Sequence, residues 1–499
     1  MNEKLKPAAL LLTALILVSW SLLALGSCSN GTGTETGTVP AATSASAEVT
    51  ADEGSEETEL KDDLPDVKLT DQEFRIASTS DLFHYIINEE DSGSVCDSAV
   101  YKANRIIEER FDIKFTQVVL SSYDTSPDEI GPMVKSGDDL FDIGMLHDTS
   151  SGAWTLRGYF RDLNTLPYID TSKPWYPEFT VKSLSFAGKM YLISNFMTYF
   201  SMDGTRVMWM NMDIAGDYNL PDPFEMVENR TWTLDKMMEI SSAVYEDTNS
   251  DNLVNEGDTF GFTHIGNTYC WVEAFGIEML VKNEAEKTLT FNGDDSRIYD
   301  LVEKMQAFAG GANKSVFFKV SGASSNVQTL FAEGKTLLTY MHFKSMMPKL
   351  NDSTVNYAIL PMPLLNEDQD RYYGACTDVP ISVPVSAEDT EKIGLMIEAM
   401  SAEGYRTIKP ACYDLVLKFR YANDYQSSKM LDTIFSNRVL SFTYIYREYG
   451  GSTQMKLISD NVSAPGLIAS YLKKNGDAAN IYAKSILKFY YEGTPIKSN

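Results

Sequence analysis

The alternation between Phe74 and Ser150 limits what this chain can fold into more than any other feature. Phe74-Arg-Ile-Ala-Ser reads as a short strand that runs into a polar loop, Thr79-Ser80-Asp81. Ser98 to Arg110 then places Val100, Ala103, Ile107 and Phe111 on one face at helical spacing. Ile113-Lys-Phe-Thr-Gln-Val-Val-Leu follows as a second strand. Leu140-Phe-Asp-Ile-Gly-Met-Leu is a third, leaving through His147-Asp148-Thr149-Ser150. Strand, helix and strand at this pitch predict a parallel sheet with helices on its faces. In such sheets ligands sit beyond the carboxyl ends of the strands. Ser80, Asp81, His147 and Asp148 occupy that place and are candidate ligand contacts; an ordinary polar strand exit is the alternative.

The amino terminus sets the expected location. Two lysines in MNEKLK precede PAALLLTALILVSWSLLAL, an apolar run of secretory h-region length that ends in Leu25-Gly26-Ser27-Cys28. This looks like a lipobox, with residues 1–27 as signal peptide and Cys28 acylated as the first mature residue. The alternative is one transmembrane helix ending in an incidental cysteine. Residues 28–66 are rich in Ser, Thr, Gly, Ala and Glu with little that is apolar, so the expectation is a disordered tether. The predicted location is the outer face of a membrane, with the lipid as anchor.

The remaining chain is long enough for two domains. The whole sequence's hydrophobic content of 43% is ample for packed cores. Lys+Arg 42 against Asp+Glu 70 gives a formal net charge of -28, which repels phosphate backbones and argues against nucleic acid as a partner. Cys96, Cys270, Cys376 and Cys412 are scattered, unlike a disulfide framework or a zinc pattern. Buried free thiols are the first expectation, with one disulfide open in an extracytoplasmic setting.

A resemblance emerges from several short segments taken in order. Arg161-Asp-Leu-Asn-Thr-Leu-Pro-Tyr-Ile-Asp, Lys173-Pro-Trp-Tyr and Phe186-Ala-Gly-Lys-Met-Tyr come first. Val207-Met-Trp-Met-Asn-Met-Asp, Leu220-Pro-Asp-Pro-Phe and Arg230-Thr-Trp-Thr-Leu-Asp-Lys follow, then Phe331-Ala-Glu-Gly-Lys and Val355-Asn-Tyr-Ala-Ile-Leu-Pro-Met-Pro. This set resembles the family 1 extracellular solute-binding lipoproteins that feed carbohydrate ABC importers in Gram-positive bacteria. The resemblance implies an α/β, two-lobe periplasmic-binding-protein-like fold of type II, hinged, with a ligand cleft between the lobes. It places residues 67–190 and 330–385 in the first lobe, and 191–329 and 386–499 in the second. It implies a monomeric receptor, a carbohydrate ligand and ABC permease subunits as partners, and no catalytic residues.

Local physics agrees with these segments. Thr233 can cap a helix whose first turn holds Asp235. Leu234, Met237, Met238 and Val244 give that helix an apolar face, and Gly334 suits a helix C-cap. Ala387 to Met400, Ser427 to Ser436 and Asp477 to Tyr490 read as further helices.

Directly after the helix that Thr233 begins lies DTNSDNLVNEGD. Counted from Asp247, oxygen side chains fall at Asp247, Asn249 and Asp251; Leu253 offers a carbonyl, and Asp258 closes the loop. That is the EF-hand order, with two departures. Asn252 replaces the turn glycine, and Asp258 replaces the bidentate glutamate, a ligand that Glu256 can supply instead. Hard oxygens select calcium, here with a structural role; the alternative is an acidic turn that binds no metal.

Carbohydrate sites combine aromatic faces with Asp, Asn and Arg on the hydroxyls. Trp154, Trp271, Tyr340 and the Tyr372-Tyr373 pair are candidate platforms, each with core packing as the alternative, whereas Trp209 reads as core. Asp378 is a further candidate hydroxyl acceptor. No Gly-x-Ser-x-Gly elbow is present, and the chain has only 4 histidines, so hydrolase chemistry is thinly supported. A surface sensor or adhesin, a binder of peptide or another solute, and a secreted glycan-active enzyme are the competing readings.

Overall fold

The computed structural model describes residues 61–122, 126–265, 269–311, 313–319, 325–421, 425–447 and 452–496. All of them fall within one compact unit, 60–499. Cys28 and the tether up to residue 60 lie outside the described residues. Among the described residues no helix is long and apolar enough to cross a membrane.

The predicted alternation builds a four-stranded sheet in the order Ile381–Ser382, Ile143–Met145, Gln72–Thr79, Ile113–Leu120. Gln72–Thr79 and Ile113–Leu120 run parallel over their full length, from Gln72 opposite Ile113 to Thr79 opposite Leu120. Ile143–Met145 joins the other side of Gln72–Thr79, also parallel. The expected helix between the first two strands spans Val95–Phe111 and buries Val100, Ala103, Ile107 and Phe111. The fourth strand, Ile381–Ser382, arrives antiparallel from late in the sequence.

The second sheet is mixed: Val316–Lys319, Thr259–Ile265, Thr336–His342, Arg206–Asn211 and Tyr357–Leu360, with Tyr245–Glu246 added beside Thr259–Ile265. All six residues of Arg206–Asn211 are buried, as befits a strand covered on both faces. Its side chains alternate between two cores. Val207 and Trp209 share one with Phe74 and Ile76, while Met208 and Met210 share the other with Trp232 and Met237. Thr233 caps Leu234–Ser242 as expected, its hydroxyl accepting from the Lys236 amide at 3.2 Å.

Strand pairing and helix packing cut across the expected lobe ranges. Residues 336–342 and 357–360 lie within the stretch assigned to the first lobe, yet both strands pair antiparallel with Arg206–Asn211 in the second sheet. Conversely Thr390–Lys409, assigned to the second lobe, packs on Val95–Phe111 beside the first sheet. Its apolar face, with Ile393, Met396, Ile397 and Met400, is completed by that helix. Short degenerate strings locate strands but do not say which sheet they join.

Two buried anchors fix Thr390–Lys409. Glu398 accepts from the Trp175 indole at 3.0 Å and the Tyr176 hydroxyl at 2.6 Å, which explains the Lys173-Pro-Trp-Tyr segment. Asp142, 1% exposed, pairs with Arg75 at 2.9 Å and Lys392 at 3.1 Å. Pro410 lacks an amide donor, and the helix runs on from it with wider π-type turns through Tyr421. Within that turn Cys412 pairs with Cys96, their Cα atoms 5.2 Å apart, whereas Cys270 and Cys376 are buried free thiols.

Candidate ligand cleft

Three chain reversals meet at the carboxyl ends of strands from both sheets. Thr79 ends its strand and leads into a short 3-10 turn, Phe83–Tyr85. Met145 ends another, and His147 stands at the N-cap of Asp148–Leu156. From the second sheet, His342 ends its strand and opens the helix Phe343–Leu350. Gly152 lets Asp148–Leu156 lie directly against the Ile445 carbonyl, where any Cβ would clash. These ends enclose a cavity of about 390 Å³ lined by Asp81, His84, Tyr85, His147, Phe200, Lys344 and Ser345, among others. A second cavity of about 320 Å³ shares His84, Tyr85 and Lys344 with it and adds Asp97, Tyr199 and Asp203.

The lining mixes ring faces with hydrogen-bonding groups. Tyr85 packs on Tyr199, with centroids 4.5 Å apart, and edge-on to Phe200 at 5.0 Å. The Tyr85 hydroxyl donates to Asp203 at 2.7 Å, and the Tyr199 hydroxyl to Asp97 at 2.8 Å. Burial raises the Asp203 carboxyl above its ordinary range, partly offset by the Tyr85 hydrogen bond. The Lys344 ammonium lies 3.9 Å from the Phe200 ring centroid, and burial pushes it down to about 8. Such a wall can hold a polar solute that also presents an apolar face.

The sequence-predicted contacts divide into three groups. Asp81 and His147 line the cavity; Ser80 is exposed on the same loop as Asp81 and is not part of the lining. Asp148 and Asp378 are buried behind it. Asp148 Oδ1 meets His147 Nδ1 at 2.9 Å and accepts from the Thr149 amide at 2.8 Å, so its role is to hold the histidine. Asp378 accepts from the Ser194 hydroxyl and, at 2.7 Å, the Val379 amide, while burial pushes its carboxyl up to about 6.

Of the aromatic candidates, Trp154, Trp271, Tyr340 and Tyr372 are buried and Tyr373 is half-buried; none is in the lining of the cleft cavities. Trp154 is 3% exposed and stacks on Tyr159 at 5.1 Å inside the first body. Trp271 is fully buried and packs against Tyr340 at 5.2 Å, its indole meeting His264 at 3.2 Å. The buried Tyr372 hydroxyl donates to the Val227 carbonyl at 3.1 Å. Tyr373 bonds Asp370 at 2.9 Å, away from the cleft lining. Trp209 is core, as read from the sequence, with its indole on the Met341 carbonyl at 3.0 Å. The rings that do line the cavity, Tyr85 and Phe200, were missed. The signal for His84, Tyr85 and Lys344 was their position just past strand ends, in Asp81-Leu-Phe-His-Tyr and His342-Phe-Lys.

The acidic loop has the backbone shape its sequence predicts. Asn252 is left-handed at φ 60°, as the glycine position requires. Asp247 accepts from the Asp251 amide at 3.2 Å and the Asn252 amide at 2.9 Å. The Leu253 amide donates to Asp251 at 2.7 Å, and that hydrogen bond lowers the Asp251 carboxyl below its ordinary range. Asn249 and Asn255 side-chain amides also turn toward Asp251, at 3.1 Å and 2.7 Å. Asp258 is fully buried: Oδ2 accepts from Tyr245 and the Asn255 amide, both at 3.1 Å, but Oδ1 has no partner. That carboxylate oxygen is the one feature of the loop left open to a cation. Glu256 instead meets Asn326 at 2.8 Å. No cluster of three or more His, Cys, Asp or Glu arranged for a metal occurs among the described residues.

Two α/β bodies whose strand ends share a cavity define the two-lobe binding-protein fold. Solved structures agree on that fold. An ABC substrate-binding protein of Listeria monocytogenes, in complex with cycloalternan, matches 82% of this chain and 98% of its own, with 12% identity and a TM-score of 0.53. The GacH receptor of Streptomyces glaucescens, solved unliganded and with acarbose, matches 84% and 99%, with 13% identity and a TM-score of 0.54. UgpB of Mycobacterium tuberculosis, in complex with glycerophosphocholine, matches 81% and 98%, with 13% identity and a TM-score of 0.53. No protein-family model and no curated protein matches the chain.

Proposed function

We propose that this chain is an extracytoplasmic solute-binding lipoprotein that captures a carbohydrate, an oligosaccharide in particular, and delivers it to an ABC importer. The observation that carries this reading is the cavity walled by Asp81, His84 and His147 from one sheet and Lys344 and Ser345 from the other. A solute held there touches both bodies at once, so binding favours their closure. The fold likeness to receptors solved with cycloalternan and acarbose supports it. In this reading Cys28 carries the lipid, residues 28–66 are the leash, and calcium pins the loop Asp247–Asp258 through Asp247, Asn249, Asp251, Leu253 and Asp258. The receptor is a monomer and releases its solute unchanged.

Thermal unfolding of the full chain against a panel of oligosaccharides tests the reading. A ligand at about a hundred times its Kd adds roughly 2.7 kcal/mol, a visible rise in midpoint. A selective rise with one glycan class, recovered intact by chromatography, is the expected result. Cleavage of the glycan, or no rise with any member, would refute it.

A further inference from the structure

The chain holds 42 basic residues against 70 acidic ones, so a cation has every opportunity to find a carboxylate. Arg206, buried in the second sheet, and Lys344, at the cleft, do not. Arg206 is 5% exposed and stands opposite His342 on the neighbouring antiparallel strand, two residues before Lys344 enters the cavity. Its Nη2 donates to the Tyr269 hydroxyl at 2.6 Å, and its guanidinium carbon lies 5.0 Å from the Tyr269 ring centroid. Its Nη1 is buried with no hydrogen-bond partner, and so is His342 Nδ1.

The ionisable groups facing Arg206 include Tyr269, Cys270, Tyr340 and Tyr444, all neutral at pH 7. Arg206 in turn faces Lys344 and His342. Lys344 touches Phe200 and forms no ion pair or hydrogen bond with a described residue. Three carboxylates act on it from a distance, Asp203, Asp148 and Asp81. Asp203 is engaged by Tyr85, and Asp148 by His147, Thr149 and Asp378. Desolvating an unpaired cation is unfavourable by several kcal/mol, and packing alone does not call for one. An ammonium that lines a cavity with no direct ion pair among the described residues, just past the strand end whose His342 stands opposite a buried guanidinium, is arranged for acceptor oxygens from outside the protein.

We propose that the cleft takes a solute bearing an anionic group, a carboxylate or a phosphate, whose oxygens pair with Lys344. This rests on the solute-capture reading and narrows it to acidic or phosphorylated sugars. Tyr85 and Phe200 remain free to pack against the uncharged part of the ligand.

The test is thermal unfolding of the full chain, at matched ionic strength, with two probe pairs: a glucuronate-containing oligosaccharide against its neutral glucose counterpart, and glucose 6-phosphate against glucose. The acidic member of at least one pair raises the midpoint, its neutral partner does not, and which pair responds separates carboxylate from phosphate. Lys344→Met abolishes the rise, while the unliganded variant unfolds at or above the wild-type temperature because an unpaired charge has gone. Lys344→Gln serves as the second variant and gives the same loss. Equal or greater stabilisation by the neutral members, or an acid-induced rise that survives both variants, overturns the anion proposal and leaves solute capture standing. No rise with any member, and none across the wider panel, overturns both.

Discussion

Asp148 and Asp378, 230 positions apart, clasp each other: the Asp148 amide donates to the Asp378 carbonyl at 3.0 Å, and the Asp378 amide returns a bond to the Asp148 carboxylate, Oδ2, at 3.1 Å. Each then holds a further side chain, the cavity-lining His147 for Asp148 and the buried Ser194 for Asp378.

The clasp has a pH signature. Burial pushes the folded Asp378 carboxyl up to about 6, from an ordinary 3.8. A raised acid binds its proton more tightly folded than unfolded, so its contribution is most favourable below pH 4 and is lost as pH rises through 6. The difference amounts to about 3 kcal/mol at most. Asp378→Asn keeps the acceptor for the Val379 amide and removes the titration. Its stability relative to wild type therefore increases between pH 4 and 6.5, as followed by urea unfolding at stepped pH. A flat difference curve would refute the assignment.

Burial separates packing from binding among the predicted contacts. Trp154→Ala empties part of a core and destabilises by about 3–5 kcal/mol. At temperatures where the variant stays folded its solute affinity matches wild type. His147→Ala lines the cavity with less, so it loses affinity at least tenfold with little change in midpoint. Calorimetric titration with whichever solute stabilises the wild type decides between these outcomes.

The acidic loop predicts a metal-dependent stability. Chelation lowers the wild-type midpoint, because saturating calcium at about a hundred times its Kd contributes roughly 2.7 kcal/mol. Asp258→Asn removes the orphaned anionic oxygen and with it most of the chelator response. A chelator effect equal in both proteins would show that any bound cation sits elsewhere.

Cys96 and Cys412 close a loop across 316 positions. Reduction, or Cys96→Ser with Cys412→Ser, destabilises the protein by about 2–4 kcal/mol on the usual scale for native bridges. Because both residues also line the smaller cavity, solute affinity measured with and without reductant reports whether the bridge shapes the site.

The local parts of this fold were legible in the sequence. Ile113–Leu120 and the face of Val95–Phe111 follow from period, and the Thr233 cap from its hydroxyl. What periodicity cannot carry is partnership across the chain. Nothing near Thr336 says that it will pair with Arg206–Asn211, and nothing near Glu398 says that it will receive Trp175. The site suffered in the same way. Asp81 and His147 were found because strand ends announce themselves, while Phe200 and Lys344 reach the cleft only through tertiary placement. A tryptophan's role cannot be read from its type alone, because a large ring is as useful to a core as to a ligand, and Trp154 and Trp271 are buried.

The late strand of the first sheet also orders assembly in time. The Ser382 hydroxyl bonds the Gly144 carbonyl across 238 positions, so the sheet that begins at Gln72 stays open along one edge until most of the chain exists. A nascent chain emerging from its amino terminus cannot complete either body early, since the second sheet is threaded between the first three strands and the fourth. Closing such distant contacts is slow. The protein is thus wired to remain unfinished for most of its synthesis.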